Sequence, residues 1–96
     1  MNVYLIAQIN VHDRETYKKY AKAFLAMFGG YKGEVLVADE SAEVMEGEWP
    51  YQRTVIIRFD DEAEAKRWYH SPEYKAAKEI RFAGSTTNLI MTKGLR

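Results

Sequence analysis

Cysteine is absent from this 96-residue chain. Without a thiol there is no disulfide framework, no thiolate metal ligation and no cysteine nucleophile. An excess of one charge is missing too: 14 Lys and Arg balance 14 Asp and Glu, and no basic run forms a stripe. That balance argues against nucleic acid or an anionic membrane as a partner held by electrostatic capture. No apolar stretch approaches membrane-spanning length. A glycine-rich phosphate loop is also lacking, since Gly29, Gly30 and Gly33 follow a helical segment instead of opening one. The first residues read directly as a strand, without the basic segment and cleavage site of a signal peptide, so the expected location is the cytoplasm.

What is present is the composition of a folded domain. With 47% hydrophobic and 29% charged residues the chain is not disordered. Its length suits one domain spanning residues 1–96, with a modest core.

Period-two patterning marks the strands. Val3, Leu5, Ala7 and Ile9 alternate with Tyr4, Ile6, Gln8 and Asn10. The same split sets Val55, Ile57 and Phe59 against Thr54, Ile56 and Arg58, and Leu89 and Met91 against Asn88, Ile90 and Thr92. One face is apolar, as a helix-covered core requires, and the other mixes aliphatic with polar groups.

Between the strands the period changes to that of a helix. Asp13 is placed to cap a helix carrying Tyr17, Tyr20, Ala21, Phe24, Leu25 and Phe28 at spacings of three and four. Gly29-Gly30 predicts its end in a left-handed cap. Glu34–Ala38 and Ala42–Glu48 read as strand segments broken around Asp39-Glu40-Ser41, and Gln52–Phe59 as the next strand. Asp61-Glu62-Ala63-Glu64 starts a second helix with Ala65, Trp68 and Tyr69 inward. Ser71-Pro72 restarts it, with Tyr74, Ala77 and Ile80 inward, and Thr87–Lys93 is the last strand.

The order β-α-β-β-α-β predicts an α+β, ferredoxin-like protomer: a four-stranded antiparallel sheet with its helices on one face. The uncovered face would carry Tyr4, Ile6, Leu36, Ile56 and Ile90, too much apolar surface to leave wet. At roughly 25 cal/mol per Å² of apolar area, burying these side chains against a second copy would supply several kcal/mol. The expected partner is therefore the chain itself, in a homodimer through this sheet face.

Four stretches resemble the family catalogued as domain of unknown function 1330 (DUF1330), in the dimeric α+β barrel superfamily. They are Tyr4-Leu-Ile-Ala-Gln-Ile-Asn-Val, Val44-Met-Glu-Gly-Glu-Trp, Ala65-Lys-Arg-Trp-Tyr-His-Ser-Pro-Glu-Tyr and Ser85-Thr-Thr-Asn-Leu-Ile. The resemblance implies a ferredoxin-like protomer and a dimeric barrel, and no settled activity. The superfamily also includes cofactor-free monooxygenases, haem-degrading enzymes and lyases, a spread that makes fold a weak guide to chemistry. The haem-degrading members use an Asn, a Trp and a haem-ligating His. Asn10 and Trp68 match in type, but His70 lies only two residues past Trp68 and points to another side of the helix, so the resemblance implies no haem and no other cofactor.

Side-chain chemistry leaves a short set of candidates. His12 and His70 fall in turns where polar residues are expected, and with scattered carboxylates they make no metal motif. No nucleophile elbow is present. Trp49 and Arg53 could clamp a carboxylate through the planar guanidinium fork, or pack at a rim and ion-pair. Arg58, on the mixed face, and Arg81, one residue beyond Ile80, would each demand a carboxylate or an anionic ligand if buried. Tyr4, Gln8, Arg58 and Asn88 share the mixed face and together could orient a small polar molecule. The expected function is a homodimer holding a small, partly apolar organic molecule with a polar or acidic end, in a cavity between sheet and helices or at the dimer interface. Cofactor-independent proton transfer or oxygenation would be the chemistry, if any. The competing expectation is a non-catalytic assembly module whose interior is filled by side chains.

Overall fold

A computed structural model describes residues 1–96. The chain runs through β1 (Val3–Val11), α1 (Arg14–Phe28), β2 (Gly33–Asp39), β3 (Arg53–Phe59), α2 (Glu62–Tyr69), α3 (Pro72–Gly84) and β4 (Ser85–Lys93). The strands form one antiparallel sheet in the order β2-β3-β1-β4. The two chain halves each contribute one central and one edge strand, the ferredoxin-like arrangement expected from the element order.

Alternation sets the two faces. Val3, Leu5, Ala7 and Ile9 of β1 are buried, and across β3 they oppose Phe59, Ile57, Val55 and Arg53. This face meets the helices through Tyr20, Phe24, Ala65, Trp68, Tyr74 and Ala77. On the other face Tyr4 opposes Arg58, Ile6 lies between Ile56 and Ile90, and Gln8 lies between Thr54 and Asn88. The register of β2 shifts between Val35 and Val37. This bulge places Val37 opposite Ile56, so Val37 joins Leu36 on the open face while Val35 and Ala38 stay on the helix side.

The caps follow the sequence. Thr16 N donates to the Asp13 carboxylate at 3.1 Å, Glu64 N to Asp61 at 2.8 Å, and Tyr74 N to the Ser71 hydroxyl at 3.1 Å. Pro72 occupies the first turn of α3, where no amide hydrogen is needed.

Three expectations are corrected. Ala42–Glu48 forms no strand; residues 40–52 are a loop whose side chains are almost all exposed, because no neighbouring strand edge pairs with them. Gly29 does not take the left-handed conformation: at φ −61° and ψ −15° it prolongs the helical turn, and its amide donates back to Met27 O. Arg81 is buried in the stripe Tyr74, Ala77, Arg81, Gly84, whereas Ile80 is only half-buried.

Glycine is required at Gly33. A Cβ there would lie 2.6 Å from Phe28 Cζ and 2.7 Å from Phe59 Cε1, so only a bare backbone lets β2 start against those rings.

Candidate functional site

The helix-covered core is not filled. Between the sheet and α1 and α3 lies a cavity of about 250 Å³. At about 30 Å³ of liquid volume per water this equals roughly eight waters. Alternation aims Leu5, Ala7, Ile9, Val55 and Ile57 into it, while the helical period brings Tyr20, Ala21 and Phe24 over the top. The short side chains of Ala7, Ala21 and Ala38 leave the space. The mouth lies between α1 and the edge strand β2, where Leu25 and Val35 are exposed. Leu25, expected in the inward stripe of α1, is instead exposed at the mouth.

Of the 17 residues lining the cavity, 15 are hydrophobic, and the other two are Arg53 and Arg81. Their environments differ. Arg53 Nη1 is 3.6 Å from Glu40 Oε2, and Glu40 also accepts from Arg14 Nη2 at 3.0 Å. The Arg14 hydrogen bond first, and then both arginine charges, hold the Glu40 carboxyl below its ordinary range. The Arg53 guanidinium carbon lies 5.5 Å from the Tyr17 ring centroid. Arg81 is 4% exposed and makes no ion pair. Its guanidinium carbon lies 5.9 Å from the Tyr20 ring and 5.3 Å from the Phe82 ring, and its Nε has no acceptor.

Tyr20 and Tyr74, both lining the cavity, share a buried hydroxyl–hydroxyl hydrogen bond of 2.8 Å. Burial pushes both phenols above their ordinary range, and Arg81 opposes the shift in each. Both are therefore neutral at physiological pH. Two hydroxyls joined by one hydrogen bond keep one O–H donor free for a third group.

The sequence-derived candidates separate onto two faces. Arg53 and Arg81 come together at the cavity. Tyr4, Gln8, Arg58 and Asn88 lie on the open face, outside it. Arg58 is engaged locally: Nη1 donates to Asp60 Oδ1 at 2.9 Å and to Asn2 Oδ1 at 3.3 Å, and Nε to Glu34 Oε1 at 3.4 Å. Asn88 Nδ2 reaches Gln8 Oε1 at 3.5 Å. Trp49 does not meet Arg53; its Nε1 donates to Thr54 Oγ1 at 3.1 Å, on the opposite side of β3. His12 and His70 are exposed. No group of three or more His, Asp or Glu side chains is close enough to hold a metal ion.

Arg53 and Arg81 each carry a signal along the chain for the cavity they share. Arg53 has the same strand parity as Val55, Ile57 and Phe59, and Arg81 falls at +7 from Tyr74 and +4 from Ala77, on the buried stripe. Glu40 carried no signal, because its approach to Arg53 depends on where the loop after β2 leaves the sheet.

The family model for the domain of unknown function DUF1330 matches residues 2–95. No curated protein matches the chain. Among solved structures, a protein of unknown function from Rhodopseudomonas palustris is similar at TM-score 0.82 and 17% identity, over 99% of this chain and 83% of that one. SnoaB, a cofactor-independent oxygenase from Streptomyces nogalater, is similar at TM-score 0.67 and 13% identity, over 99% of this chain and 94% of that one. A dimeric ferredoxin-like protein of unknown function from Thermobifida fusca is similar at TM-score 0.67 and 15% identity, over 98% and 92%. At these identities the likeness establishes the fold alone.

Proposed function

The chain belongs to the DUF1330 family, and we propose that it is a homodimeric protein that binds a small, partly apolar organic molecule in the cavity between sheet and helices. The observation that carries this reading is an apolar cavity of about 250 Å³ with two arginines in its wall. An assembly module with a filled interior has no use for such a space. Tight packing is the default of a core, and a void forfeits contacts that small-to-large substitution would regain.

The dimer half of the proposal rests on the open sheet face. Ile6, Val37 and Ile56 are half-buried there, Leu36 and Ile90 are exposed, and Trp49 extends the patch beyond Thr54. Polar Gln8, Asn88 and Tyr4 punctuate it, as in the interface between two copies of a soluble chain. The Thermobifida fusca protein, which shares the fold, is described as dimeric. If turnover follows binding, proton transfer or cofactor-independent oxygenation suits neutral phenols beside a guanidinium better than hydrolysis does. SnoaB is described as an oxygenase of that kind.

Native mass spectrometry and an NMR fragment screen test the two halves separately. The protein should run at twice the chain mass, and Ile6→Glu should give monomers; a wild-type monomer would overturn the dimer. Fragment-induced shifts should cluster on Leu5, Ala7, Phe24 and Val55, and a screen with no such cluster would overturn the binding site.

A further inference from the structure

Four buried side-chain atoms lack a hydrogen-bond partner: Arg53 Nε, Trp68 Nε1, Arg81 Nε and Thr87 Oγ1. The first three belong to residues that line the cavity, and all three are N–H donors. Native proteins leave few buried donors unmatched. These three N–H groups are enclosed in the packing around the apolar space, and the residues lining that space include no carboxylate. Glu40, beside Arg53, is already shared with Arg14. Arg81, almost fully buried, has no counter-ion at all. An unpaired guanidinium there carries a desolvation cost that an anionic guest would offset.

Resting on the cavity as the binding site, we propose that its ligand is a monocarboxylic acid with a compact apolar body, and that Arg81 reads the carboxylate. A planar carboxylate accepts two N–H bonds from a guanidinium fork and keeps lone pairs for the free O–H of the Tyr20–Tyr74 pair. Single charge follows from the lining, since of its two arginines Arg53 has Glu40 at 3.6 Å and only Arg81 has no carboxylate within ion-pair distance. Size follows from volume. An engineered cavity of about 150 Å³ accommodates benzene. The 250 Å³ here adds room for a short chain and the carboxylate. Phe24, Trp68 and Tyr74 supply aromatic walls for a single ring.

Titration calorimetry with 3-phenylpropanoate and its neutral isostere 3-phenylpropanamide tests the assignment on the intact protein. The acid should bind about ten- to a hundred-fold more tightly, the range of a charge-assisted hydrogen bond in a desolvated site. Arg81→Gln should abolish that preference. Arg81→Lys, which keeps the charge without the fork, should retain only part of it. The wild-type ratio needs no variant, so a poorly folding Arg81→Gln leaves the test intact. Equal binding of acid and amide would overturn the carboxylate inference and leave the cavity reading standing, whereas binding of neither would bring down the cavity reading itself. Preference that survives Arg81→Gln and vanishes in Arg53→Gln would overturn the choice of Arg81.

Discussion

Where Val3, Phe59 and Gly33 lie side by side on the sheet, aromatic rings fill the space beneath the helices. Where Ala7, Val55 and Ala38 lie side by side, a few residues along the same strands, they do not. At the first end Phe28 and Phe59 meet edge to face at 5.7 Å, Phe24 stacks on Phe28 at 4.5 Å, and Phe59 lies 5.4 Å from Trp68. Gly33 is pressed against two of these rings. At the second end Phe24 and Trp68 are joined by Tyr17 and by Tyr20 and Tyr74, whose hydroxyls are paired with each other, and Ala7 and Ala38 lie on the sheet beneath. One layer thus serves two purposes: rings packed against one another carry stability at one end, and rings with hydroxyls border a space at the other. A protein selected for stability alone would fill the hollow end, since cavity-filling is an easily found stabilising change.

The largest effect should come from Phe59→Ala. Phe59 is fully buried at the solid end, so truncation should cost about 3–5 kcal/mol in urea denaturation. A loss under about 1 kcal/mol would mean that the solid end is as loosely packed as the hollow one. Gly33→Ala should follow at about 1–3 kcal/mol, because the new methyl must displace two rings. A neutral result would show that Phe28 and Phe59 have room to move.

At the hollow end, Tyr20→Phe should cost about 1–3 kcal/mol by leaving the Tyr74 hydroxyl without its partner, and adding Tyr74→Phe should recover much of it. Strict additivity in that double-mutant cycle would argue that the two hydroxyls act independently. Ala21→Leu should sharpen the contrast most directly. It adds three carbons where the core is empty, so stability should stay within about 1 kcal/mol of wild type while fragment binding is lost. The cost of overpacking, as at Gly33, would instead mark the space as already filled.

The smallest effect is a pH dependence at the rim of the solid end. The Arg67 side chain first, and the Lys32 amide next, hold the Glu64 carboxyl at about 2 against an ordinary 4.5. Lys32 N donates to Glu64 at 2.7 Å and Arg67 Nε at 2.8 Å, fastening the approach to β2 onto α2. Because the folded value lies below the unfolded one, the contribution is complete above about pH 4.5 and disappears as pH falls through about 2. Thermal melts of Glu64→Gln should lie slightly below wild type at neutral pH and converge with it over that interval. Parallel curves down to pH 2 would show that the carboxylate adds nothing to the clasp.

Much of the fold was legible in the chain. Alternation named both faces of β1, β3 and β4, and Asp13, Asp61 and the Ser71-Pro72 pair marked three helix starts within a residue or two. These signals are local, read within one turn or one strand. The expected strand at Ala42–Glu48 failed because strand propensity does not supply a partner edge. The candidate site was only half legible: Arg53 and Arg81 belonged to the named set, but their common cavity did not follow from either segment. Five others, Tyr4, Gln8, Arg58, Asn88 and Trp49, proved to lie away from it, with their hydrogen bonds on or beside the open face.

By itself the sequence determined the order of elements, the apolar register of the sheet, the helix boundaries, the absence of thiol chemistry and an unexpended apolar face. Each depends on spacing along the chain or on residue inventory. Only the tertiary structure decided that three alanines from β1, α1 and β2 would coincide around one patch of sheet, and that Glu40 would come beside Arg53 and leave Arg81 without a carboxylate. Volume and charge pairing are sums over segments far apart in the chain, and no one segment carries them.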